Sequence, residues 1–283
     1  MNSDQRYIGI DFGGTSIVSA LFSREGLLEQ AAFPTGADRG PEEIMETLYQ
    51  AIQKVYMDQV EAIGIGMPGI MDHLTGEILV INNIPAIKGV RVREKVADRF
   101  GLPVFQTNDA NCFALGEAYY GAAREFRNLV GITLGTGLGG GIIIDRKIHT
   151  GLSGGAGELG CIPFRDGIVE DYCSGTWLEK TRGKSGAVLY EEARQGNGEA
   201  ARAFEELAGN MGELLRQMMH ILAPEAFVIG GSVAGAWEFM KEPLREEVDR
   251  FPVPWIRERV SLVPASLENA GLYGAAALCI SQM

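Results

Sequence analysis

A glycine-rich turn occurs twice in this chain, in the same surroundings, and few architectures accommodate that. Residues 8–22, IGIDFGGTSIVSALF, align without a gap on residues 130–144, VGITLGTGLGGGIII. In each copy a short apolar run meets a polar residue (Asp11 or Thr133), then glycines, then a second apolar run. Apolar runs on both sides of such a turn read as β-hairpins rather than strand-to-helix junctions. Two copies imply two similar domains, each opening with this hairpin. A chance likeness of two glycine-rich hairpins is the plainer alternative.

Around the copies the pattern is mixed. Strands are expected at 6–12 and 16–22 and near 27–33, followed by a helix over about 41–57. Pro41 suits a first helical position, and Glu42 and Glu43 suit a first turn. VEAIGIGMPGI reads as a buried strand ending in a turn, and VREKVADRFG as an amphipathic helix closed by Gly101. PVFQTNDAN is a strand entering the helix ANCFALGEAYYGA. Beyond the second hairpin the chain is mainly helical from about 174 to 222. EAFVIGGSV is then one more buried strand, and ENAGLYGAAALCI a last helix. Parallel strands joined by helices after an antiparallel hairpin give an α/β architecture. No low-complexity linker separates the halves, so the boundary near 107–110 reads as a hinge.

Composition narrows the function classes. The net charge is −12, which argues against a nucleic-acid partner, since phosphate backbones are held by basic patches. Cys112, Cys161, Cys173 and Cys279 show no CxxC spacing and are too few for a disulfide framework. The start, MNSDQRYIGIDF, lacks a basic leader segment. No apolar run approaches the roughly 18 residues of a membrane helix. A soluble, cytoplasmic protein with no membrane partner is expected.

Several short motifs carry possible chemistry. In D11-F-G-G-T-S16, Gly13 and Gly14 let backbone amides face an anion, Thr15 and Ser16 add hydroxyls, and Asp11 could hold Mg²⁺ through water. An ordinary tight turn explains the same residues. T133-L-G-T-G-L-G-G-G141 is harder to explain by folding alone, because each glycine costs conformational entropy. Thr133, Gly135, Thr136 and Gly137 form a second candidate phosphate turn, and the two turns together would grip a triphosphate from both sides of a cleft. Gly230 and Gly231, after the strand AFVI, suit close approach by a nucleoside. Two look-alikes are set aside. G64-I-G-M-P-G69 satisfies GxGxxG, but no helix follows and Pro68 interrupts it. G183-K-S185 has Leu178 where a P-loop needs its first glycine. In T107-N-D-A-N111, Asn108 and Asp109 either cap a helix or, for Asp109, accept a proton from an attacking hydroxyl; the two roles can coexist. Glu158 and Glu170 are solvated loop residues or acceptors for vicinal hydroxyls.

Taken in order, IGIDFGGTSI, GIGMPGI, NNIP, TNDANCFALGEA, GITLGTGLGGGIII, GGAGELG and AGLYGAAAL resemble the ROK family (repressors, uncharacterised reading frames and sugar kinases) over nearly the whole chain. The resemblance implies a two-domain actin-like (ribonuclease H-like) ATPase fold with an interdomain cleft. Residues 1–107 plus a C-terminal helix at about 268–283 would form one α/β domain, and 108–267 the other. It implies a phosphotransferase with an alcohol acceptor, passing the γ-phosphate of Mg-ATP to a hexose hydroxyl, the 6-hydroxyl being expected. It assigns Asp109 as catalytic base, Gly69, Asn83, Asn108, Glu158 and Glu170 to the sugar, and suggests a homodimer. One departure stands out. Most members follow GE-x-G with a His that ligates zinc and a loop with three close cysteines. Here Cys161 takes the His position, and the eight residues before Glu170 contain no Cys, so no zinc is expected. The alternative is a non-catalytic sugar sensor or regulator. ROK regulators generally carry a DNA-binding segment ahead of the first strand, which here begins by residue 7.

Overall fold

A computed structural model describes residues 5–72 and 75–283. The first four residues, part of the segment read for a leader, lie outside the described residues. The first hairpin is β1 (Arg6–Phe12) and β2 (Ser16–Ser23), extended by β3 (Gly26–Pro34). Helix α1 (Pro41–Val55) starts on Pro41 and buries Ile44, Leu48, Ala51, Ile52 and Val55 along one stripe. Strand β4 (Val60–Met67) follows, then a small hairpin of β5 (Ile70–Met71) and β6 (Ile78–Val80). Helix α2 (Val92–Phe100) ends at Gly101, whose φ of 67° gives the left-handed turn expected there. Strand β7 (Val104–Asn108) then completes a five-stranded sheet of order β3-β2-β1-β4-β7.

Helix α3 (Asp109–Tyr119) leads into the second half. There β8 (Leu129–Leu134), β9 (Leu138–Ile144) and β10 (Lys147–Ile148) form the antiparallel part. A small hairpin, β11 (Pro163–Phe164) and β12 (Gly167–Ile168), precedes α4 (Gly175–Arg182), α5 (Gly186–Arg194) and α6 (Gly198–Ile221). Strand β13 (Ala226–Gly230), α7 (Trp237–Asp249), α8 (Pro254–Arg257), β14 (Ser261–Pro264) and α9 (Ala270–Gln282) end the chain. The second sheet has the order β10-β9-β8-β13-β14, the same plan as the first.

The duplicated hairpins are present, but their pairing differs by one residue. Phe12 pairs with Ile17, whereas Leu134 pairs with Leu138. The first turn closes with Gly13 N–H donating to Ser16 O at 2.9 Å, and the second, a residue shorter, with Gly135 N–H donating to Gly137 O at 3.0 Å. The gap-free alignment therefore holds in space only up to the turn.

Helices α3 and α9 cross between the two sheets. Helix α3 leaves the first sheet and packs on β8 and β9, whereas α9 leaves the second and packs on β1 and β4. Both are buried on nearly every side, and the polar side chains buried in α3, Asn111 and Glu117, each make hydrogen bonds. Their backbones meet through glycine. A Cβ on Gly274 would overlap the Cys112 carbonyl oxygen, and one on Gly116 the Ala270 carbonyl oxygen. Gly64, in the GxGxxG look-alike, is flat against the Ala275 carbonyl, and Gly66 would carry a Cβ 2.7 Å from Cys112 Sγ. Those glycines serve helix packing. Gly274→Ala should therefore lower unfolding stability by about 2–3 kcal/mol or prevent folding, because overpacked cores cannot relax backbone against backbone. Gly209→Ala, in α6 with nothing within 4 Å of the added methyl, should instead gain roughly 0.5–1 kcal/mol. Urea unfolding of both variants checks this, and a Gly274→Ala chain as stable as the parent contradicts it.

Candidate active site

Where β7 runs into α3, Asn108 is the helix cap: its Oδ1 accepts from Asn111 N–H at 2.7 Å. Asp109 is the first helical residue, and its Oδ1 accepts from Ala110 N–H at 2.9 Å. The capping role is thus real for Asn108, and it sets the direction of Asp109. Both face a cavity of about 150 Å³ that also takes in Gly69, Ile70, Gly139, Gly140 and Glu158. Gly69 has φ 100° and lies against the Val80 carbonyl oxygen, so no side chain fits there. Walls from the β4–β5 turn, the start of α3 and strand β9 place the cavity between the two halves.

The carboxylates around this opening are held above their ordinary values. Burial raises Asp11, and the charge of Asp109 raises it further. Asp109 is open to the cavity, yet the protein packed around it disfavours its charge and outweighs its backbone hydrogen bonds. Glu158 is raised by burial and then by Asp109. The Cys161 thiol is raised by burial, then by Glu158 and Glu170.

A second cavity, of about 240 Å³, adjoins the β8–β9 turn. Gly135 and Thr136 form one wall, and the starts of α4 and α5 form the others. The turn is stitched to α4: Gly175 N–H donates to Gly135 O at 2.8 Å, and Thr176 Oγ1 to Thr136 O at 2.8 Å. Ser174 and Ser185 cap the two helices. Gly230 and Gly231 stand behind the wall. Gly230 packs on the Phe113 ring, and Gly231, at φ 90°, lies against the Leu134 carbonyl, so that Ser232 and Val233 reach the lining. The sequence reading missed Thr176, Glu179, Ser185, Gly186 and Ala187. The two serine caps were the available signal. In the P-loop look-alike, Gly183 ends α4 at φ 67°, Lys184 pairs with Glu192 at 2.5 Å, and Ser185 begins α5.

The first turn is braced by Thr35, whose Oγ1 donates to Gly13 O at 2.6 Å and whose N–H donates to Thr15 O at 3.0 Å. Thr15 and Thr136 are both exposed at the tips of their turns. Two expected sugar residues sit elsewhere than in the smaller cavity's lining. Asn83 leans on the first turn, against Gly14. Glu170 braces the second, its Oε2 accepting from Leu138 N–H at 2.8 Å beside Gly137. Thr133 is the penultimate residue of β8, with its Oγ1 over Gly139. Cys161 is exposed and Cys173 buried. Among the described residues no group of three or more His, Cys, Asp or Glu is placed to hold a metal ion.

Two five-stranded sheets of matched topology, with a crossed helix pair between them and carboxylates at the opening, define the actin-like ATPase fold. Residues 7–282 match the ROK family, and the chain belongs to it. It is 31% identical to a glucokinase of Thermotoga maritima and 33% identical to one of Streptomyces coelicolor, over 96% of each chain in both cases. The ROK hexokinase of Thermus thermophilus superposes with a TM-score of 0.84 at 30% identity, covering 96% of this chain and 97% of that one. A ROK glucokinase of Streptomyces griseus, in complex with glucose and AMPPNP, gives 0.77 at 32% identity, covering 96% and 98%. An inorganic polyphosphate/ATP-glucomannokinase of Arthrobacter sp. strain KM gives 0.67 at 26% identity, covering 99% and 100%. No helix among the described residues is long and apolar enough to cross a membrane.

The raised carboxylates have a measurable consequence. Below 3.8, the ordinary value of Asp11, the group is protonated whether the chain is folded or not, and its ionisation costs nothing. As pH rises towards the higher folded value, the unfolded chain ionises first and stability falls. Asp11→Asn should therefore raise the melting temperature at pH 7, with the gain shrinking as pH approaches 3.8. Melting curves across that range test it, and a pH-independent gain would refute the electrostatic cause.

Proposed function

We propose that this chain is an ATP-dependent hexose kinase, with Asp109 as the base that accepts the proton of the attacking 6-hydroxyl. The observation that carries the reading is the shared cavity of Asp109, Asn108, Gly69 and Glu158, with Asp11, just before the first glycine turn, close enough to Asp109 for their charges to interact. Two lobes, 1–107 with 268–283 and 108–267, would close on it. The similarity to glucokinases and to a glucose and AMPPNP complex supports both substrates.

The sugar would enter the smaller cavity, with Glu158 accepting from vicinal hydroxyls and the Gly69 backbone against the ring. Asn83 and Glu170, placed on the two turns, would reach the sugar from the rim. The phosphate chain would lie along Gly13, Gly14 and Thr15 on one side and Thr133, Gly135, Thr136 and Gly137 on the other. The nucleoside would occupy the larger cavity, behind which Gly230 and Gly231 keep the wall thin. Phosphoryl transfer through a loose transition state asks for position more than for basicity, so a carboxylate fixed by the Ala110 amide suffices. Its raised value also favours proton acceptance near neutral pH.

Mg²⁺ fits the donor set. Asp11 offers a hard oxygen ligand, and it stands close enough to Asp109 for that charge to raise it. Such an ion needs only one or two carboxylates beside phosphate oxygens and water. When bound, with Asp11 holding it through water, it would neutralise charge on the phosphate oxygens.

A coupled assay over a panel of hexoses tests the reading. ADP release that depends on sugar supports it, whereas sugar binding without turnover marks a sensor. Asp109→Ala should lower phosphorylation about a hundredfold or more while nucleotide binding persists. Unchanged turnover rejects the assignment of the base.

A further inference from the structure

The larger cavity has an uneven charge. Its lining offers hydroxyls and amides from Thr136, Thr176, Ser185 and Ser232, and one full charge, the carboxylate of Glu179 on α4. No Lys, Arg or His belongs to that lining. The basic residues nearby in sequence are committed or turned elsewhere. Lys184 pairs with Glu192 at 2.5 Å, Arg182 pairs with Glu206, and Lys180 does not line the cavity. The first-turn amides of α5, at Gly186 and Ala187, supply a positive end of about half an elementary charge, and those of α4, at Gly175 and Thr176, already donate to Gly135 O and Thr136 O.

We propose that Glu179 fixes the class of phosphoryl donor, admitting a nucleoside triphosphate and rejecting inorganic polyphosphate. This rests on the kinase reading above. Either donor would pass its terminal phosphorus to the sugar oxygen. The bond to the bridging oxygen breaks, the hydroxyl proton moves to Asp109, and ADP or a polyphosphate one unit shorter leaves. The donors differ in what lies beyond the reacting phosphates. A nucleoside is neutral and presents a vicinal diol, whose two O–H groups a carboxylate accepts. A polyphosphate continues as a chain of negative charges into a cavity that holds no cation to meet them. The carboxylate therefore acts as both attraction and repulsion, the two halves of specificity. The family is not uniform in donor, since the similar Arthrobacter enzyme is described as using polyphosphate and ATP.

The test measures sugar phosphorylation with ATP, with 2′,3′-dideoxy-ATP and with long-chain polyphosphate, and binding of each donor by calorimetry. The parent protein should use polyphosphate at less than about 1% of its ATP efficiency and should prefer ATP to the dideoxy analogue. Glu179→Gln should lose most of that ribose preference through KM rather than kcat. Glu179→Lys should lower the ATP-to-polyphosphate ratio about tenfold or more, with an unchanged melting temperature, because the side chain is exposed. Equal use of both donors by the parent protein, or a donor ratio unmoved by Glu179→Lys, overturns the proposal and leaves the kinase reading standing. Absence of sugar-dependent turnover with every donor overturns both.

Discussion

Backbone contact between α3 and α9 fixes the relation of the two halves. Where Gly116 and Gly274 cross, each helix lies against the other's main chain, and neither can shift without losing that contact. A buried carboxylate completes the joint. Glu117, fully buried, accepts from the N–H groups of Ser266 at 3.0 Å and Leu267 at 2.9 Å, and from Ala122 at 2.8 Å. Such a charge is tolerable inside a protein only when its oxygens are met by donors. The exit of α3 is thereby tied to the entry of α9. Because α3 begins with Asn108 and Asp109, the position of the candidate base relative to both sheets follows from this crossing rather than from a loop.

The electrostatics at the opening run against stability. Asp11, Asp109 and Glu158 are all raised, and Asp109 contributes to the other two. Like charges gathered in a partly desolvated cleft disfavour the folded state at neutral pH, and such clusters are characteristic of sites built for ligands. What relieves them is what the proposed substrates bring: hydroxyl donors for Glu158 and Asp109, and a cation with the phosphates for Asp11.

Elements that announce themselves locally were legible in the sequence. Both hairpins, α1 with Pro41 and its acidic first turn, α2 with Gly101, and the strand entering TNDAN all follow from short-range rules. Helix α7 was not read. It carries Pro243 inside, which breaks the expected pattern. Strand β14 has four residues, too few to show alternation. The glycines fall into two further groups that local sequence does not separate. Gly13, Gly14, Gly135 and Gly137 lie in turns, but Gly64, Gly66, Gly116 and Gly274 exist because helices press on them. A local rule cannot tell these apart, since the partner backbone is far away in sequence. The same distance hid Glu179, which becomes a wall only when α4 is stitched to the second turn.

The segment after Glu158 is held by side-chain contacts to α6. Between Cys161 and Glu170 the chain makes the β11–β12 hairpin, with Arg165 at its tip in the left-handed region at φ 54°. The Arg165 guanidinium lies 4.9 Å from the Phe164 ring centre and 5.1 Å from that of Tyr172, and pairs with Glu213 of α6 at 3.1 Å. The Tyr172 hydroxyl donates to Asp166, and Asn210 Nδ2 of α6 donates to Tyr172 O at 3.1 Å. Each contact is weak at a surface, but they share residues and so act together. They fasten the hairpin to α6, and through Leu159 and Val169, both buried in the second core, they fasten the turns that carry Glu158 and Glu170. A zinc loop would cross-link the same region through thiolates. Here Arg165, beside the Phe164 and Tyr172 rings and paired with Glu213, ties the hairpin to α6, and Cys161 is exposed.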